Sequence, residues 1–160
     1  MQADPRDLES GTPVVTRHID ATTDQVWAVL ANGWVYPTWV VGASRMREVE
    51  PAWPATGSRL HHSVGVWPLL VDDKTEVLES DPRRLLRVNA RAWPAGDAEV
   101  RIELEPDVVG TQVTIREDAR SGPAVLIPRL VRQAGIVPRN RESLRRLAYL
   151  AERGAVRSQL

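Results

Sequence analysis

Two histidines stand side by side, His61-His62, followed by Ser63 and later by the carboxylate pair Asp72-Asp73. These residue types do acid–base, nucleophilic or metal chemistry only when they converge. Neighbours on an extended strand point to opposite faces, so His61 and His62 cannot easily share one metal, and Asp72 and Asp73 diverge in the same way. No thiolate chemistry is open to the chain, because it contains no cysteine; disulfide frameworks and cysteine nucleophiles fall away with it. It also lacks a glycine-rich phosphate loop, a His-Glu-x-x-His helix and a Gly-x-Ser-x-Gly elbow. Ser63 has no evident triad around it. His62 is therefore the only candidate acid or base, the catalytic residues are otherwise unknown, and no metal or cofactor is read from the residues.

The elements that must hold these residues are legible from the spacing. Residues 13–20 alternate and are rich in β-branched types, which predicts a strand. Thr22-Thr-Asp-Gln25 is a capping-box pattern that starts a helix over 23–31, and Asn32-Gly33 stops it. Residues 34–41, with two tryptophans, Tyr36 and Pro37, read as a second short helical turn. From residue 43 onward, segments near 44–51, 58–67, 71–79, 85–93, 98–105 and 111–118 alternate between Pro- or Gly-containing turns. Six such strands make an antiparallel meander, and the first strand brings the count to seven.

Beyond Ser121-Gly122-Pro123 the period becomes helical. Leu126, Leu130, Val131 and Ala134 form one stripe; Leu144, Leu147, Ala148 and Ala151 form a stronger one. Gly135 and Pro138 lie between them, so a break or sharp kink is expected there, with a final helix over 139–153 ending at Gly154.

Period-2 reading also assigns faces. Ala98, Val100, Ile102 and Leu104 share an apolar face opposite Glu99, Arg101, Glu103 and Glu105. Leu60, His62, Val64 and Val66 point inward, opposite His61. Val113 and Ile115 carry Glu117 inward, and Val71, Thr75 and Val77 carry Asp73. In 85–93 the face is ambiguous. An inward Glu117 wants a cationic partner from the last helix, and Arg141 or Arg145 would supply it.

Lys+Arg 21 against Asp+Glu 21 cancels to zero, which argues against a globally basic nucleic-acid binder. The average hides an asymmetry. Residues 1–122 carry a net charge of −6, whereas 123–160 hold eight arginines against Glu142 and Glu152 and carry +6. Arg139, Arg141, Arg145, Arg146 and Arg153 could meet an acidic partner or an anionic surface, or simply form a solvated face against an acidic sheet. The basic residues are twenty Arg with Lys74 alone as lysine; the aromatic residues are six Trp, two Tyr and no Phe. Trp39, Trp67 and Trp93 fall at helix or strand ends. No apolar run reaches the length of a membrane span, and the first ten residues read as no signal peptide, so a cytoplasmic protein without membrane insertion is expected.

Three stretches carry a resemblance. Ile19-Asp-Ala-Thr-Thr-Asp-Gln-Val-Trp27-Ala-Val-Leu30, Gly110-Thr-Gln-Val-Thr-Ile115 with Glu117-Asp118, and Arg139-Asn-Arg-Glu-Ser-Leu-Arg-Arg-Leu147 through Glu152 resemble the START-related polyketide cyclase/dehydrase and lipid-transport (SRPBCC) superfamily. The likeness spans about 13–153 and is greatest to bacterial members without an assigned activity. It implies an α+β helix-grip fold: a seven-stranded antiparallel sheet wrapped around a C-terminal helix, with two short helices after the first strand. One domain over 13–153 is expected between flexible ends, 1–12 and 154–160. The interruption at Gly135 and Pro138 departs from the family's continuous terminal helix.

The resemblance further implies a cavity between sheet and last helix for a small hydrophobic or aromatic ligand. Trp39, His62, Trp67, Asp73, Trp93 and Glu117 are the candidate ligand-binding residues. A polyketide cyclase or dehydratase activity, with His62 as acid or base, is the alternative the fold brings with it. An interaction module built on the Arg-rich helix is a second alternative. No nucleic acid is expected as a partner.

Overall fold

Seven strands in the order β1-β7-β6-β5-β4-β3-β2 form one antiparallel sheet, so every sequence neighbour from β2 to β7 is also a spatial neighbour. This architecture comes from a computed structural model that describes residues 12–92 and 96–157. The strands are β1 (Val14–Ile19), β2 (Ala43–Val49), β3 (Arg59–Val66), β4 (Leu69–Asp81), β5 (Leu85–Ala92), β6 (Gly96–Asp107) and β7 (Gly110–Ala119). Helix α1 (Thr23–Ala31), a 3-10 turn (Gly33–Val35) and α2 (Tyr36–Trp39) sit between β1 and β2; α3 (Arg129–Arg157) closes the chain. This is the helix-grip arrangement, as the sequence implies.

Helix α1 begins where its capping box predicts. The Thr22 side chain accepts from the Gln25 backbone N–H, and the Gln25 side chain accepts from the Thr22 backbone N–H. The 3-10 turn that follows packs close to the sheet because residue 33 is glycine. A Cβ there would come within 2.6 Å of the Leu60 side chain and 2.8 Å of Val49. That close approach sets where Tyr36 and Trp39 enter the core.

The core fills the concave side of the sheet. Leu60, Val77, Leu86, Val88, Ile102, Leu104, Val113 and Ile115 are buried, which resolves the ambiguous strand in favour of Leu86 and Val88. The side chains of Val66 and Ala92 lie outside the described residues. Leu144, Leu147, Ala148 and Ala151 of α3 are buried in the same core, as the 3.6-residue period predicts. The opposite face of the sheet is laced with ion pairs: Arg87 and Arg120 on Glu99, Arg101 and Arg116 on Glu103, and Arg59 on Glu76. Those pairs give five of the twenty arginines a structural place, although each exposed pair contributes only about 0–1 kcal/mol.

Two expectations about the last segment need correction. The chain stays helical from Arg129 through Pro138 and past Gly154 to Arg157, with no break at Gly135 or Pro138. Ala134, Gly135 and Pro138 are exposed, so the Ala134 carbonyl that loses its helical donor is left beside water, which can replace it. The stripe of Leu126, Leu130 and Val131 does not pack on the sheet; Leu126 is 86% and Leu130 81% exposed. Helical periodicity puts these residues on one face, but Leu126 ends a separate 3-10 helix (Pro123–Leu126) and Leu130 and Val131 stand exposed on the first turn of α3.

Candidate ligand cavity and the polar chain beside it

A cavity opens between the concave face of the sheet and α3. Its volume is about 100 Å³.

Its floor is Leu86, Val88 and Ala90 from β5 with Ala98, Val100 and Ile102 from β6. Ala90 and Ala98 face each other across the ladder. The hollow follows from these two positions: alternation sends both methyl groups inward where a larger residue would fill the space. Tyr36 and Trp39 from α2, Trp53 from the β2–β3 connection and Ile115 from β7 complete the apolar wall. Trp53 is held by its indole N–H, which donates to the Leu30 carbonyl at 3.1 Å. Trp39 and Tyr36 stand edge to face, with ring centroids 5.5 Å apart.

One pole of the cavity is polar. Glu117, at the end of β7, is 5% exposed and lines the space together with Arg139, Asn140 and Ser143 of α3. Arg139 Nη2 and Asn140 Nδ2 both donate to Glu117 Oε2, the latter at 3.0 Å. The partner of Glu117 is thus Arg139, and neither Arg141 nor Arg145. Arg141 is exposed and Arg145 is bound to Glu142 at 2.7 Å. The phase of α3 decides this. Asn140 and Ser143 lie one turn and one residue before the buried Leu144, so residues 139–140 face the sheet and 141 faces away.

His62 lies beside the cavity, behind Tyr36. It is 3% exposed; its Nε2 is 2.9 Å from Thr75 Oγ1, which is 3.3 Å from the Tyr36 hydroxyl. The His62 and Tyr36 rings are 5.4 Å apart. Nδ1 of His62 has no hydrogen-bond partner among the described residues. Burial pushes the His62 pKa down and outweighs the opposing pull of nearby Asp73. Burial also raises the pKa of Tyr36. A neutral imidazole and a neutral phenol hydroxyl joined through a threonine can pass a hydrogen-bond preference from one to the other, and Tyr36 is the member on the cavity wall.

Of the residues singled out from sequence, Trp39 and Glu117 line the cavity together. His62 and Asp73 are both buried and are register partners across β3 and β4, but neither is among the lining residues. The Asp73 carboxylate accepts from the Lys74 backbone N–H at 2.8 Å. Trp67 sits at the β3–β4 turn, 81% exposed and away from the cavity lining, because the turn itself leads it off the sheet. Trp93 lies outside the described residues. Sequence reading missed Tyr36, Trp53, Arg139, Asn140 and Ser143. Asn140 and Ser143 carried a usable signal, since both share the apolar stripe of Leu144 and Leu147. Trp53 carried none, lying in a Pro/Gly loop with no period. No group of His, Asp and Glu among the described residues is arranged to hold a metal ion, and no described helix is long and apolar enough to cross a membrane.

A curved sheet gripping one long helix, with a mostly apolar hollow between them, defines the helix-grip class. The sequence matches the family described as polyketide cyclase / dehydrase and lipid transport over residues 12–152, and the chain belongs to that family. A comparison with curated protein sequences gives no match. Among solved structures, a protein from Nitrosomonas europaea superposes with a TM-score of 0.71 at 17% identity, covering 91% of this chain and 96% of that one. The di-domain ARO/CYC StfQ from the steffimycin biosynthetic pathway superposes at 0.70 with 12% identity, over 89% of this chain and 50% of that one. Ara h 8.0201 does so at 0.66 with 11% identity, over 88% and 97%. At these identities the likeness is one of fold.

Proposed function

We propose that the protein binds a small hydrophobic or aromatic ligand in the cavity between the sheet and α3. The observation that carries this reading is the facing pair Ala90 and Ala98, which leaves space under α3 where a packed domain would place larger side chains. Concave, mainly apolar walls with a few converging polar groups are what small-molecule sites are made of. Family membership is compatible with it. Thermal-shift and fluorescence titration with two-ring aromatic probes tests the reading. Saturable binding with a rise in Tm is expected, and no stabilisation by any probe would overturn it.

A cyclase-type reaction is the second reading, favoured by one feature: the Tyr36–Thr75–His62 chain ends on the cavity wall. Holding a folded polyketide beside one weak acid would supply proximity and proton transfer. A Tyr36→Phe change that left turnover of a polyketide substrate untouched would remove it. Less supports an electrostatic module on α3, because Arg139, Arg145 and Arg146 are engaged with Glu117 and Glu142.

A further inference from the structure

The polar pole of the cavity narrows the chemistry of what it can hold; this step rests on the cavity being a ligand site. Glu117 Oε2 takes both donors, Arg139 Nη2 and Asn140 Nδ2. Oε1 has no hydrogen-bond partner among the described residues. Nor is it sealed inside protein, since it is not among the buried side-chain atoms left without a partner, of which His62 Nδ1 is one. As Glu117 lines the cavity, its free oxygen opens on that space. Asn140 adds to this. A carboxylate only accepts, so the Asn140 amide must turn its NH₂ to Glu117, and its remaining polar atom is the carbonyl Oδ1. The Ser143 hydroxyl oxygen already accepts from the Val41 backbone N–H at 3.2 Å. The Ser143 O–H and the Arg139 N–H groups not turned to Glu117 remain as donors, but Glu117 Oε1 is a carboxylate oxygen left to accept, and a carboxylate oxygen accepts more strongly than the neutral groups beside it. The Glu117–Arg139 pair is neutral as a unit, so there is no net charge for an ionic ligand to balance.

We propose that Glu117 Oε1 is the anchor for the hydroxyl group of a neutral alcohol or phenol, whose apolar body lies over Ala90 and Ala98. A hydrogen bond from a hydroxyl to an ionised carboxylate in a mostly dry site is among the stronger kinds, and an ether at the same position cannot make it. A carboxylate-bearing ligand would bring its charge against Glu117.

The test compares three probes that share one ring system, 2-naphthol, 2-methoxynaphthalene and 2-naphthoate, titrated into the full chain near neutral pH. 2-Naphthol is expected to bind about tenfold more tightly than 2-methoxynaphthalene, the effect of one such hydrogen bond. 2-Naphthoate is expected to bind more weakly than 2-naphthol. In Glu117→Gln the amide oxygen must face Arg139 and Asn140, both donors, which turns its NH₂ toward the cavity. The preference for 2-naphthol should then vanish or invert. Should that variant fail to fold, the wild-type comparison still decides. Equal affinity for 2-naphthol and its methyl ether would overturn the anchor while leaving the cavity as a binding site. Tightest binding of 2-naphthoate would overturn it too, in favour of Arg139. No binding of any of the three would overturn both this proposal and the reading beneath it.

Discussion

Replacing Ala90 by leucine asks whether the space under α3 is hollow. Ala90 lies in β5 between Thr75 of β4 and Ala98 of β6, with its methyl group on the cavity floor. Leucine adds three carbons, and each buried methylene contributes about 0.8 kcal/mol, or about 2.4 kcal/mol if all three enter space that is now open. Ordering the longer side chain costs about 0.5–1 kcal/mol. The net gain is about 1.5 kcal/mol, which in a chain of this size raises Tm by about 3–6 °C. If the space were already filled, the same change would overpack the core and cost about 1–3 kcal/mol. The two cases differ in sign, so calorimetry together with urea unfolding at constant m distinguishes them. The variant should also lose affinity for 2-methoxynaphthalene. A Tm several degrees below wild type, or undiminished probe binding in a stabilised variant, would refute the reasoning from Ala90 and Ala98 to a ligand cavity.

Two further outcomes follow from the same structure. His62 is buried with its pKa below the ordinary value. The unfolded chain therefore takes up that proton first as pH falls. Its contribution is whole above about pH 6.5 and is lost at up to about 1.4 kcal/mol per pH unit until the lower folded value is reached. His62→Gln should flatten the fall in Tm between about pH 7 and pH 5, and an unchanged slope would show that another group titrates there. Leu144, fully buried on α3, should cost about 2–5 kcal/mol when changed to alanine, measured by urea unfolding. A loss below about 1 kcal/mol would mean that α3 does not close the core as described.

Much of the architecture could be read from local pattern because the local signals agree with the tertiary arrangement. The alternation through 98–104, the Thr22–Gln25 capping box and the Leu144–Ala151 stripe each point to the face or boundary that the structure shows. Reading failed where a residue's environment is set by something distant. Pro138 carries the chemistry of a helix breaker, yet the helix passes through it where its backbone meets solvent. The 126–134 stripe has helical period without a surface to pack on. Period-2 alternation turns Glu117 inward, as the structure has it, but its partner depends on the rotation of α3 about its axis. The two-residue step from Arg139 to Arg141 amounts to about 200° of that rotation, enough to put them on opposite faces. Trp67 and Trp39 both occupy element ends in the sequence; one tips into solvent at a hairpin and the other is clamped against Tyr36.

The most direct test of the central claim is a two-dimensional ¹⁵N NMR titration with 2-naphthol. The cavity reading predicts saturable shifts concentrated at the amides of Val88, Ala90, Ala98, Val100, Ile115 and Glu117, which line or border the hollow. Shifts confined to the exposed residues Trp67, Leu69, Leu126 and Leu130, or no saturable shift at any amide, would contradict it.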